Sequence, residues 1–299
     1  MSNAIKEVSV SADKNKVAKI IGHVISKGGV GKSTMTTFHA MRLAQQGHSV
    51  LVVDIDTQED FTKFYIPPEH LSAVKRECLS SADLVNAKRR TDTIKVAPSY
   101  IENVDVIPAD ETLLTERNTQ IDRSGAGHEG ADRQKAVKDW ITQTTKDMRS
   151  YLTSLPYDYI FLHFSPATTM LQNMFIFCLD VAFIPIENDF REMDMANKTL
   201  TRLRVSRNQF VPTVNAFVYI NKYEKPAQYR VNTSPLDNSI KRIESTYKSN
   251  LIKPFIPLSQ TIARASMERR APWVKPPSGR ANKVGQTVKQ ALDEMSSKL

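Results

Sequence analysis

The run Lys27-Gly28-Gly29-Val30-Gly31-Lys32-Ser33 sets the architecture of this chain. An apolar, β-prone stretch, Ile20-Ile21-Gly22-His23-Val24-Ile25, precedes it, and a helical pattern follows from Thr34 to Gln46. Strand, glycine-rich turn and helix in that order are what a phosphate-binding loop requires. Glycines let the backbone curl so that successive N–H groups point into one concavity. The helix that follows adds its positive N-terminal end. In such a loop Gly28, Gly29, Val30, Gly31, Lys32, Ser33 and Thr34 surround a nucleotide's phosphates. Lys32 reaches the β- and γ-phosphates, and the Ser33 hydroxyl sits on Mg²⁺.

Ser26 stands where the ordinary loop has its first glycine, and Lys27 is an additional lysine. The segment resembles the deviant Walker A loop, K-G-G-x-G-K-[ST], of the ParA/MinD family of P-loop ATPases, with ParA-type partition ATPases the nearest pattern. The resemblance implies an α/β fold, a doubly wound and mostly parallel sheet flanked by helices. It implies ATP and Mg²⁺ as ligands and a homodimer held together by ATP, in which Lys27 reaches the partner's nucleotide. Catalytic roles fall by resemblance on Lys27, Lys32 and Asp56.

Further segments match in the expected order. Ser49 to Gln58 reads as a strand ending in Asp54-Ile55-Asp56-Thr57-Gln58. Two carboxylates at i, i+2 on a strand share a face, here at the C-terminal end where α/β sheets bind ligands. By resemblance Asp56 orients the attacking water, while Asp54 organises the water shell of the metal that Ser33 holds. Glu102 to Ala109 and Val181 to Ile186 resemble later strands of the family. Phe217-Val218-Tyr219-Ile220-Asn221 resembles the strand whose terminal Asn recognises adenine. Phe255-Ile256-Pro257 resembles the last strand, and Pro257 joins Asn221 in the expected nucleotide site. The likeness covers residues 18 to 275.

One position departs. Tyr157-Asp158-Tyr159-Ile160-Phe161-Leu162-His163-Phe164-Ser165-Pro166 aligns with the Walker B strand, and His163 stands where the family has Asp. A carboxylate there accepts hydrogen bonds from metal-bound water and offsets the cation's charge. A neutral imidazole offers one acceptor and no negative charge. ATP binding therefore follows from the loop, whereas the departure bears on the rate of hydrolysis.

Charge points to a partner. Lys and Arg number 41 against 32 Asp and Glu, a formal charge of +9, with a pI near 9.4. Basic residues cluster at Lys198, Arg202, Arg204 and Arg207, and again at Arg264, Arg269, Arg270, Lys275 and Arg280, with Lys283 and Lys289 beyond. Such clusters suit contacts to the phosphate backbone of duplex DNA, which hold a protein without reading sequence and weaken with salt. No aromatic interleaving suggests base stacking.

The remaining organisation is simpler. Residues 1–17 read as a flexible basic leader, and residues 18–299 as a single domain with a basic C-terminal helical region. Pro67-Pro68 separates two helices within residues 60 to 95, residues 122 to 134 form a polar glycine-rich loop, and a helix spans about 133 to 153. Cys78 and Cys178 are ordinary thiols in a chain without a secretory segment. Val288, Leu292, Met295 and Leu299 recur at helical spacing. Asp293 and Glu294 on that helix, with no Trp or Phe anchor, favour docking on the chain's own core over a membrane surface.

The expected protein is a cytoplasmic, nucleoid-associated ATPase that dimerises on ATP, binds DNA non-specifically and positions a cargo. An activating protein, ParB-like or an adaptor, would release it. A nucleotide-dependent DNA-binding adaptor with little turnover, of the kind that assists conjugative transfer, is the alternative that His163 motivates. A MinD-like membrane-positioning ATPase is the third class. An iron–sulfur carrier is disfavoured because no C-x-x-C pair exists.

Overall fold

A computed structural model of the chain describes residues 5–10, 17–123, 130–166, 169–187, 189, 192–209, 214–224, 235–274 and 282–299. Its strands are β1 Lys6–Ser9, β2 Lys19–His23, β3 Val50–Asp54, β4 Thr93–Pro98, β5 Val104–Ile107, β6 Tyr159–His163, β7 Val181–Ile186, β8 Asn215–Ile220 and β9 Leu251–Ile252. They form one sheet in the order β1-β4-β5-β3-β6-β2-β7-β8-β9. From β5 to β9 every pairing is parallel, and β4 and β1 add an antiparallel edge. The doubly wound, mostly parallel sheet expected from the sequence is what forms.

The central strands read as continuous apolar runs because both their faces are buried. Ile21, Val50, Val52, Phe161, Val181 and Phe183 share one core. It is covered by helices α1 (Lys32–Gln45), α2 (Asp60–Tyr65), α3 (Pro68–Glu77), α9 (Gln260–Met267) and α10 (Lys283–Ser296). Ile20, Leu51, Val53, Ile160, Leu162 and Ile184 alternate with them and face the other core. That side carries α4 (Glu111–Arg123), α5 (Gly130–Ser154), α6 (Met170–Ile176), α7 (Met193–Gln209) and α8 (Pro235–Tyr247). The strict period of two along each strand sorts the side chains between layers.

Four segments differ from the sequence reading. Lys6–Ser9, expected in a flexible leader, is a strand paired with β4 from Lys6↔Val96 to Ser9↔Thr93. Val8 is buried by that pairing, and Lys6 meets Asp105 at 2.6 Å. A short polar segment shows no such edge pairing in its own composition. The expected glycine-rich loop is shortened, because α4 runs to Arg123 and α5 starts at Gly130. Asp132 in the first turn of α5 favours that start. Residues 124–129 lie outside the described residues. The expected helices on either side of Pro67-Pro68 do form, but the chain then makes short 3-10 turns, Ser81–Val85 and Ala87–Arg89, before β4. The last strand is Leu251–Ile252, and Phe255-Ile256-Pro257 follows it. Ile256 N–H still donates to the Ile220 carbonyl at 2.9 Å, and Pro257 bridges to Tyr223.

The C-terminal apolar stripe docks inward. Val288, Ala291, Leu292 and Met295 of α10 are fully buried, and Arg42 of α1 pairs with Asp293 at 2.6 Å. Burying Val288, Leu292 and Met295 contributes about 1.5–3 kcal/mol each, so α10 is an integral layer. Among the described residues no helix is long and apolar enough to cross a membrane.

Candidate nucleotide and cation site

β2 lies between β6 and β7 and delivers residues 26–31 at the C-terminal edge of the sheet. Val24 N–H still donates to the Phe183 carbonyl, at 2.9 Å, before the chain turns away. Gly29 (φ 75°) and Gly31 (φ 91°) take the left-handed conformation that favours glycine. Gly31 has a second constraint, since a Cβ there would lie 2.3 Å from Asn221 Nδ2. That Nδ2 donates to the Val30 carbonyl at 2.6 Å, so β8 braces the loop. Helix α1 starts at Lys32 with no side chain capping it. Its first N–H groups are the orphan donors that bind anions at helix starts.

Lys32 is 6% exposed, and its Nζ donates to the Lys27 carbonyl at 2.6 Å. Burial lowers its pKa to about 8, with the Asp56 charge acting against that. Lys27 meets Glu192 and, at 3.2 Å, Glu187. Burial opposes its charge, but these two carboxylates outweigh that and raise its pKa. Glu192 also accepts the Glu187 N–H at 2.7 Å, and Glu187 pairs with Lys222 at 3.2 Å.

Strands β3 and β6 end in register, Asp54 beside His163. His163 Nδ1 lies 2.9 Å from Asp54 Oδ1, and its Nε2 lies 2.8 Å from Ser33 Oγ. The other Asp54 oxygen, Oδ2, accepts the Thr62 N–H and hydroxyl, each at 2.8 Å. The Asp56 N–H donates to Oδ1 at 3.1 Å. Asp54 is thus joined to Ser33 through His163. Asp56 accepts the Gln58 N–H at 3.0 Å, and burial is the foremost cause of its raised pKa. Ser33 itself is exposed and opens, with Thr34, Thr37 and Asp60, on a cavity of about 300 Å³.

The residues fit a nucleotide and a divalent cation. An uncapped helix start, a buried ammonium and an exposed hydroxyl stand together, with Asp56 nearby. Lys32 already bonds an oxygen acceptor of the kind a phosphate supplies. The donor set differs from the expected one at a single position, where an imidazole replaces a carboxylate.

The other expected residues are dispersed. Pro257 lines a broad cleft of about 600 Å³ with Tyr223, Phe255 and Thr287, whereas Asn221 touches the loop itself. On α7, Lys198 and Arg204 are exposed, while Arg202 turns to the Ser26 hydroxyl at 3.4 Å. The side chain of Arg207 lies outside the described residues, as do Lys275 and Arg280. Arg264 and Arg270 both pair with Glu268, at 2.7 and 2.5 Å. The Arg269 guanidinium stacks 4.4 Å from the Tyr100 ring centre and 4.7 Å from that of Phe64. Arg269 and Arg270, just past the end of α9, are therefore partly engaged within the fold, whereas Arg264 stays exposed. Thr62, Glu187 and Glu192 were not foreseen. Only their contacts mark them, since Glu192 lies 165 residues from Lys27.

Comparisons with known proteins bear on the family and the fold. A family model described as AAA domain, AAA_31, matches residues 18–215. The cell division protein PomZ of Myxococcus xanthus is 24% identical over 274 residues, covering 90% of this chain and 76% of PomZ. The ATP complex of a single-substitution variant of Cyanothece McdA superposes with a TM-score of 0.66 at 18% identity, covering 93% of this chain and 97% of McdA. A Borrelia burgdorferi B31 protein assigned to plasmid partition and bound to AMPPNP gives 0.63 at 18% identity, over 95% and 100% of the two chains.

Proposed function

The chain belongs to the AAA_31 family and is a member of the ParA/MinD group of P-loop ATPases, and from that premise we propose that it is an ATP-gated positioning ATPase. The observation that carries this reading is the loop itself: Lys32 buried, Ser33 exposed, and an uncapped α1 start beside Asp56. Amides of residues 28–33 and Lys32 would hold the phosphates of ATP, and Ser33 would contribute to the site of the divalent cation that accompanies it. The cation, when bound, neutralises charge on the phosphates. Asp56 orients the attacking water, and Lys27 crosses to the nucleotide of a second copy. Catalysis of this kind is positioning and electrostatic stabilisation, so misplacing one group slows it strongly.

The cargo class is suggested by the relatives' names, and the surface by this chain's own basic residues. PomZ is named for cell division and the Borrelia protein for plasmid partition. An ATP-bound dimer that grips duplex DNA through Lys198, Arg204 and neighbouring basic residues, and is released by an activating partner, accounts for the net charge of +9. A second reading, a nucleotide-dependent adaptor with little turnover, is favoured by His163 at the Walker B position.

The test is a nucleotide titration of the full chain beside its Lys32→Ala variant, followed by light scattering in ATP and in ADP. ATP binding that Lys32→Ala removes, and a dimer in ATP but not ADP, are expected. A monomer indifferent to the γ-phosphate would refute the reading. Multiple-turnover phosphate release separates ATPase from adaptor, and DNA affinity should fall steeply with added salt.

A further inference from the structure

Asp54, His163 and Ser33 form one hydrogen-bonded line across two strands and the start of α1, every contact within 2.9 Å. Asp54 is fully buried and His163 is 1% exposed, so water does not compete for these bonds. The Asp54 carboxylate accepts from the N–H at Nδ1, as carboxylates do behind metal-ligating histidines. Nε2 is then the acceptor, taking the Ser33 O–H, and its lone pair is open to a cation once that proton turns away. The hydroxyl oxygen that would meet a cation and a nitrogen donor therefore lie 2.8 Å apart, close to the spacing of two neighbouring ligands on one ion. Ser33 alone among the three opens on the solvent-side cavity.

Resting on the nucleotide-binding reading above, we propose that this chain's cation site is a mixed oxygen–nitrogen one, with Ser33 Oγ and His163 Nε2 as paired donors and Asp54 as the positioning residue behind the imidazole. Mg²⁺ demands oxygen ligands and sheds water reluctantly. Imidazole shifts preference away from Mg²⁺ and toward first-row transition ions, least for Mn²⁺ and more for Co²⁺ along the series. The site accordingly selects Mn²⁺ or Co²⁺ over Mg²⁺ with the nucleotide. The charge a carboxylate would have brought to the ion is supplied one residue back, through Asp54.

Mn²⁺ added to the full chain with ADP, followed by pulsed electron paramagnetic resonance, tests this directly. The expected result is a nitrogen coupling on Mn²⁺ that changes when histidine is labelled with ¹⁵N and disappears in His163→Asp. The label distinguishes imidazole from the adenine nitrogens without needing any variant to fold. Competition should show the ratio of Mn²⁺ to Mg²⁺ affinity falling by at least about tenfold in His163→Asp, since losing even a ligand's outer-shell partner costs about 10–100-fold in metal affinity. A wild-type signal without histidine coupling, or an unchanged ratio, overturns the proposal while nucleotide binding stands. A chain that binds no fluorescent ADP overturns both.

Discussion

Lys27 shows what single residues can and cannot disclose. Its identity is legible in the loop, but its carboxylate partners sit on the segment between β7 and α7. Glu192 and Glu187 hold it within its own chain. A lysine that must reach a second copy first has to leave them. Its side chain is 32% exposed, so screening limits the pairing to about 1 kcal/mol or less. Glu192→Gln is expected to lower the ATP concentration needed for dimerisation by up to roughly fivefold, read by light scattering. Lys27→Ala should bind nucleotide and stay monomeric. A variant that dimerises fully in ATP would contradict that role. Gly31 is the other decisive residue. Alanine at φ 91° is strained by about 1–2 kcal/mol, and its Cβ would displace Asn221 from the Val30 carbonyl. Gly31→Ala should lose roughly 2–3 kcal/mol in urea unfolding and bind nucleotide more weakly. An unchanged midpoint would mean that the loop shifts freely.

Elements add what residues lack, namely register. Asp54 and His163 are separated by 109 positions, yet meet because β3 and β6 end side by side. Sequence alone places each at a strand end, and parallel pairing puts them in contact. The start of α2 is built in a similar way. Glu59 precedes that helix at φ 58°, makes no side-chain capping bond to its first turn and is itself buried. Its carboxylate joins Lys75 of α3 at 2.6 Å, Lys63 at 3.3 Å and the Glu111 N–H that begins α4 at 3.0 Å. Burial alone would raise the Glu59 pKa, but the bonds from Lys75 and Glu111 outweigh it and the net shift is downward. A depressed carboxyl pKa adds stability above its ordinary value near 4.5, and that stability is lost as pH falls through the folded value. Glu59→Gln should therefore cost about 1–3 kcal/mol at neutral pH and little once the wild-type carboxyl is protonated. Urea midpoints at pH 7 and in acid would check this, and an equal cost at both would rule out the charge.

At the scale of the molecule, a buried polar line ties the sheet to α1 and α10. Tyr219 of β8 meets His23 Nδ1 at 3.0 Å, His23 Nε2 lies 3.4 Å from His39 Nδ1, and His39 Nε2 lies 3.3 Å from the Ser296 hydroxyl. The rings are packed against Phe161 and Phe183. Burial lowers the His39 pKa from 6.5 to about 3 and holds His23 well below its ordinary value. Below pH 6.5 the unfolded chain takes up protons that the folded one refuses, so stability falls as pH falls through that window. Each such imidazole contributes a slope of up to about 1.4 kcal/mol per pH unit. Unfolding between pH 7 and pH 5 should show this loss, and His39→Asn should flatten it. A variant with the same acid slope would show that other groups carry it.

Taken by itself, the sequence determined the glycine loop, the central apolar strands that follow it along the chain and the apolar face of α10, because these depend on spacing along one chain and on the periods of helix and strand. The tertiary structure alone decided the rest: that Lys6–Ser9 is an edge strand, that Lys27 is paired within its own chain, that Arg269 is spent on two aromatic rings, and that an imidazole links Asp54 to Ser33. Those outcomes depend on which distant surfaces are brought together, and local pattern carries no term for a contact between residues far apart along the chain.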